Sequence, residues 1–392
     1  MLGFTSTDTN YRTLGMNSKT FTTLDTFDTE FSADSVEWCP IEGFDNILVC
    51  GTYQLFKNEE SDETSTSKKS KRFGRIYLFR IDCGCKLKLL QCLDVPAVLD
   101  MKWMHIKLND KILLGVTNAA GCVQIYKLIN NENEPSLVLC AEKSLTSEDN
   151  NEVLALSLDW SSGKLDISDN GQNVQIVVSD SKGSISVFAL TEEATLEIAS
   201  TWNAHEFEAW IAAFDYWNHN VIFSGGDDCK FQWFDLRVST RPAGVSRAHG
   251  AGVTSLHNNA AREFLLASGS YDEILRLWDV RSIRRPVSEV NLTGGIWRLK
   301  WDPKTHDYLI AACMYGGFKI VDCRNNDRPN VVSEYMEHES IAYGCDWSLF
   351  NSSKIQRQEV LDQAPGTQVL VATCSFYDHA LKLAAINLYD NE

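Results

Sequence analysis

The sequence predicts an all-β protein, a seven-bladed β-propeller in which residues 1–392 form one domain. Three observations carry that expectation. A unit of strands and turns recurs at the spacing of one blade. Short runs alternate apolar and polar residues and end in Gly or Asp turns. An alternating run near the N-terminus lacks a blade of its own, while the last blade lacks an outer strand.

The clearest copy of the unit is AHGAGVTSLHNNAAREFLLASGSYDEILRLWDVR, residues 248–281. It has a Gly/His entry, an apolar strand, a second strand ending in Ser-x-Asp and a third ending in Trp278-Asp279, which is the WD-repeat signature. The copy before it, AHEFEAWIAAFDYWNHNVIFSGGDDCKFQWFDLR, puts Phe234-Asp235 in the Trp-Asp place, 44 residues before Trp278 (278 − 234). One blade takes roughly 40–45 residues.

In chain order the first blade is ADSVEWCP…NILVCGTYQLF…GRIYLFRI, interrupted by the charged stretch 57–72. AVLDMKWM…ILLGVTNAAGCVQIYKL gives the second, and VLALSLDWS…VQIVVSDSKGSISVFAL the third, with 161–173 as a loop. The two clear copies are blades four and five. GGIWRLKWDP…YLIAACMYGGFKIVD is the sixth, and IAYGCDWS…VLVATCSFYDHALKL the seventh, with 349–368 as a loop. Residues 18–31 then supply the missing outer strand of blade seven and remove the open edges of the ring.

A formal charge of −17 argues against nucleic-acid or anionic-membrane binding and suits a cationic ligand or plain solubility. The 12 cysteines lie mostly in apolar strand-like runs, which reads as buried free thiols in a reducing compartment. No basic-then-apolar leader is visible, and no apolar run approaches the ~18 residues of a membrane span. The expectation is a soluble, cytoplasmic monomer with no membrane insertion.

Candidate site residues follow from the repeat. Entry loops and the turns between second and third strands should share one face around the channel mouth. The slot after the first apolar residue of each first strand holds Trp210, Trp297 and Tyr343 in blades four, six and seven. These three aromatics would either cage a quaternary ammonium group or pack between blades. Blade seven adds His338 and Glu339 in its entry loop and Tyr377, Asp378 and His379 in its turn. His338 with Asp378 reads equally as a loop clamp, as do His205 with Asp228 and His249 with Asp272. His379 has no such structural role and is a candidate general base. No metal spacing, phosphate loop or nucleophile elbow is present, and no cofactor is implied.

Several stretches go beyond blade grammar: DTEFSADSVEWCP (28–40), GSYDEILRLWDVR (269–281), GGIWRLKWDP (294–303), AACMYGGFKIVDC (311–323), EHESIAYGCDWS (337–348) and ATCSFYDHALKL (372–383). Together they resemble the WD-repeat diphthine methyl ester hydrolase family of diphthamide biosynthesis. Ala384 departs from the Trp expected at the end of a third strand. The resemblance implies hydrolysis of the methyl ester of methylated diphthine on translation elongation factor 2, giving diphthine and methanol. Elongation factor 2 is the implied partner, and the amidating enzyme that follows is a further one. No catalytic residues come with the resemblance. On the residues alone, water activated by His379 or His338 and oriented by Asp378 or Glu339 would attack the ester. Arg298 or Tyr343 would steady the oxyanion. Trp210, Trp297, Tyr343 and Tyr377 would bind the substrate. Cys345 and Cys374 fall on core positions and are weaker nucleophiles. The other functional class is a non-catalytic adaptor that presents elongation factor 2 to the amidating enzyme.

Overall fold

The computed structural model describes residues 20–56, 71–131, 134–145, 152–163, 174–191, 195–350 and 367–389. These hold 28 strands, β1 to β28 in chain order, arranged as seven four-stranded antiparallel sheets. Within blades one to six the strands lie in sequence order. The seventh has the order β1-β28-β27-β26, so strand β1 (Phe21–Asp28) pairs with β28 (Ala380–Tyr389), Phe21 opposite Ile386 and Asp28 opposite Ala380. The ring is closed by its N-terminal strand. The three predicted loops fall mainly outside the described residues. Two of them are shorter than expected, because β4 (Lys71–Ile81) already includes Arg72 and β27 (Thr367–Ser375) includes Gln368.

The buried residues form seven clusters, each between two neighbouring blades. That follows from the pleat: alternate side chains of a blade point to its two faces, and each face meets the next blade. Ala384 fits this arrangement, fully buried in the cluster with Trp347 and Tyr335.

Seven first strands line the channel: β2 (Ser32–Trp38), β6 (Val98–Trp103), β10 (Ala155–Trp160), β14 (Ile211–Asp215), β18 (Val253–Asn258), β22 (Arg298–Trp301) and β26 (Ala342–Trp347). Each has an inner edge with no further strand to pair with, so its N–H groups need other acceptors. Side chains of the preceding blade supply them. The Phe214 N–H donates to Asp159 Oδ2 at 2.9 Å, the Trp301 N–H to His257 Nδ1 at 2.9 Å and the Trp38 N–H to Asp346 Oδ2 at 2.7 Å. The strand-end tryptophans add a second stitch, with the Trp160, Trp301 and Trp347 indoles donating to the carbonyls of Lys102, His257 and Lys300 at 2.9, 3.0 and 2.9 Å.

The loop clamps take three forms. In blade four His205 Nδ1 meets Asp228 Oδ1 at 2.8 Å directly. In blade five Arg276 stands between His249 and Asp272, at 2.9 and 2.7 Å. In blade seven Ser375 stands between His338 and Asp378, 2.5 Å from each. The expected direct His–Asp bond is thus made only in blade four of these three, because Arg276 and Ser375 fill the gap elsewhere. In all three the turn aspartate also accepts an entry-loop N–H, from Glu206, Gly250 or Glu339. Asp228→Ala should cost about 1–3 kcal/mol by leaving the buried His205 nitrogen without its partner, read as a lower urea midpoint. An unchanged midpoint would show that this clamp carries no stability.

Candidate functional site

The channel has two mouths, and the predicted residues gather at the one bearing the clamp turns. Trp210, Trp297 and Tyr343 are half-buried there and lie in one aromatic arc. Trp210 and Trp297 centroids are 5.7 Å apart, and Trp297 and Tyr343 4.7 Å apart with a 34° tilt. Tyr271 touches both tryptophans and Phe376 extends the arc beyond Tyr343. Sequence reasoning had missed these two, since Tyr271 and Phe376 come from turns outside the first-strand register. Trp297 and Tyr343 therefore cover part of each other's faces, which leaves their remaining surface for a cation. Below the arc a cavity of about 40 Å³ is lined by Trp210, Thr254, Trp297 and Arg298 among others. At ~10–15 Å³ per water centre it holds only a few waters.

Arg298 is buried and its guanidinium lies 3.0 Å from Asp100 Oδ1, so its charge is already matched inside the channel. His338, Glu339, Tyr377 and Asp378 line a separate groove of about 590 Å³ between blades six and seven. His338 is held by hydroxyls on both nitrogens, Ser375 at Nδ1 and Thr373 at Nε2. Burial, with the Lys382 ammonium adding to it, lowers its pKa to about 3. Such an imidazole stays neutral and has no free lone pair aimed at the groove. The Glu339 backbone N–H is bonded to Asp378 at 3.0 Å, and Tyr377 is 69% exposed. His379 occupies the left-handed turn position at φ 54°, as Cys229 and Glu273 do in blades four and five. Its carbonyl accepts from Thr29 N–H at 2.9 Å, tying the closing strand to blade seven. The structure thus splits the predicted set: Trp210, Trp297 and Arg298 share the channel cavity, with Tyr343 packed on Trp297, while His338, Glu339, Tyr377 and Asp378 share the groove and His379 is outside its lining. Burial raises the Cys345 and Cys374 thiols, so neither is a ready thiolate.

A further pocket lies at the opposite mouth. A cavity of about 180 Å³ has walls of Trp103, Tyr216, Trp301 and Trp347, with Glu37, Lys300 and Asp346 reaching into it. Lys300 Nζ lies 2.5 Å from Glu37 Oε1 and 3.9 Å from Asp346 Oδ1. Burial raises Glu37 to about 7, against the lowering pull of Lys300. His105 is lowered to about 4 by burial and by the Lys300 and Lys102 ammonium groups. Burial and the same two ammonium groups lower His257 well below its ordinary value. Its Nδ1 accepts the Trp301 N–H, so the ring proton sits on Nε2.

These groups were not foreseen, although a signal existed. The residue before the strand-end aromatic is Glu37, Lys102, Asp159, Lys300 or Asp346 in five blades, a charge at the same register position each time. Only closure of the ring shows that these charges face one another.

No family model matches the chain. Diphthine methyltransferase of Mus musculus is 42% identical over 349 residues, covering 87% of this chain and 72% of that protein. The Homo sapiens protein of the same name is 40% identical over 349 residues, 85% and 76% of the two chains. The Dictyostelium discoideum homolog is 36% identical over 390 residues, 90% and 96%. Among solved structures, a chain of a mitotic checkpoint complex crystal structure superposes over 100% of this chain and 99% of that one, with a TM-score of 0.66. At 16% identity that likeness shows the propeller fold alone. By sequence, over most of its length, the chain belongs to the diphthine methyltransferase family.

Proposed function

We propose that this protein hydrolyses the methyl ester of methylated diphthine on translation elongation factor 2, giving diphthine and methanol ahead of amidation. The observation that carries the reading is a cavity at one channel mouth where, among the described residues, aromatic rings and buried carboxylates stand together. A trimethylammonium group is attracted by such rings, at about 0.5–2 kcal/mol per contact. A formal charge of −17 suits a cationic substrate. Ester hydrolysis needs an acceptor for the water proton and a donor for the oxyanion, and carboxylate and ammonium groups are both present in the channel.

The name of these relatives favours a second reading, transfer of a methyl group to diphthine. The two differ in the sign of the mass change. Purified protein incubated with methylated elongation factor 2 should release methanol, and the factor should lose the mass of one CH₂. Gain of that mass from unmethylated factor and a methyl donor would establish transfer instead. Unchanged mass with tight binding would mark a non-catalytic adaptor.

A further inference from the structure

The hydrolytic reading leaves open where in the molecule the ester reacts. The two mouths differ in room and in chemistry. The cavity under the aromatic arc, about 40 Å³, admits waters but not a trimethylammonium group with its ester. The groove between blades six and seven is roomy, yet its imidazole is tied at both nitrogens. The opposite mouth combines a cavity of about 180 Å³, aromatic walls and a carboxylate–ammonium pair.

Resting on the hydrolytic reading, we propose that the ester-bearing side chain enters this opposite mouth, where Glu37 is the general base and Lys300 the oxyanion donor. The trimethylammonium group lies against the rings of Trp103, Tyr216 and Trp347, with Asp346 supplying negative charge. The substrate implied by the family resemblance carries its trimethylammonium group and its methyl ester on one carbon, so a single pocket must serve both. Glu37 and Lys300 come from blades one and six, and ring closure holds their polar atoms 2.5 Å apart. An ammonium has three donors. Glu37 takes one, and another is available to a carbonyl oxygen. Three imidazoles also line this cavity, His105, His257 and His306, and the first two are poor alternatives. His257 has Nδ1 filled by the Trp301 N–H, and His105 Nδ1 faces Ser162 Oγ at 3.1 Å.

The step balances without a co-reactant other than water. The water oxygen bonds to the ester carbon as one water proton passes to Glu37. The carbonyl electron pair moves onto oxygen, beside the Lys300 ammonium. Collapse restores the carbonyl and breaks the bond to methoxide, which takes the proton back from Glu37 and leaves as methanol. The new acid ionises and its proton goes to solvent.

Glu37 is faced by Lys300, Asp346, Lys102, Arg298 and Tyr216 from the strands and loops packed around it. Burial leaves its carboxyl near 7, so the rate should fall as pH drops through about 7 and the base becomes protonated.

The test measures methanol release by the full chain from methylated elongation factor 2 under single turnover, across pH 5.5 to about 9. Glu37→Gln should lose roughly 100-fold or more in rate and lose the acid limb near 7. Loss of the charge beside buried Lys300 should lower its thermal midpoint, so the rate is read at a temperature where circular dichroism shows the variant folded. Glu37→Asp, which keeps the charge but draws it back by one CH₂, should be slowed while retaining an acid limb. The exposed control Val238→Ala, outside both mouths, should keep the parental rate. If Glu37→Gln keeps parental rate and pH profile while His379→Ala or Trp297→Ala is inactive, the reacting mouth is the other one and hydrolysis stands. If the parent chain releases no methanol, the hydrolytic reading falls and this one with it.

Discussion

Asp100→Ala is expected to destabilise the protein by about 3–5 kcal/mol, among the largest single-residue losses in the chain. Asp100 is fully buried in the channel wall. Its Oδ1 lies 3.0 Å from the Arg298 guanidinium, and its Oδ2 lies 3.1 Å from Lys102 Nζ and accepts the Leu158 N–H at 3.1 Å. Burial opposes its charge, but the two cations outweigh burial and hold its pKa below the ordinary value. Removing the carboxylate takes the counter-charge from buried Arg298 and half-buried Lys102 and leaves the Leu158 and Met101 N–H groups without that acceptor. Asp100→Asn keeps an acceptor and loses only the charge, so it isolates the electrostatic part. The sign with pH follows from the lowered pKa. The carboxylate's contribution is complete above about 3.8 and is lost as pH falls through the lower folded value, so the gap to Asp100→Asn should close in acid. Urea unfolding at neutral and acid pH measures both, and a neutral-pH loss under about 1 kcal/mol would contradict the assignment.

Removing residues 1–28 should open the ring at blade seven and drive the chains to associate or aggregate. Strand β1 is the outer strand of blade seven, and without it β28 presents an unpaired edge over the whole span from Ala380 to Ile386. Open edges recruit other chains. The deletion also strips Phe27, packed edge-on against Phe79 at 4.9 Å, from the cluster shared by blades one and seven. Light scattering after gel filtration should show a mass above that of the parent or loss to aggregate, and a synthetic peptide of residues 19–31 should restore the parental mass. A monodisperse truncated protein with the parental thermal midpoint would show that closure does not depend on β1.

The blades were legible in the sequence because a four-stranded meander is local. Each strand pairs with the next along the chain, so spacing, alternation and turn residues from 248 to 281 suffice to draw the unit. Closure was legible for the same reason of pairing, since residues 18–31 alternate and the last blade was one strand short. The loop clamps were half legible. His205 and Asp228 do bond directly, whereas Arg276 and Ser375 intervene in blades five and seven. Side-chain length across a turn, which decides this, is invisible in a repeat pattern.

By itself, then, the sequence determined the all-β class, the seven blades, the closing strand and the first-strand register that puts Trp210, Trp297 and Tyr343 at one level. The tertiary structure alone decided that Glu37 and Lys300, 263 residues apart, share a proton-bearing contact, and that His338 is sealed by two hydroxyls. The physical reason is the ring. Charges placed about one blade apart in sequence look like unrelated exceptions to apolar strands. Closing the circle brings them to a common axis, where exclusion of water makes each depend on the others.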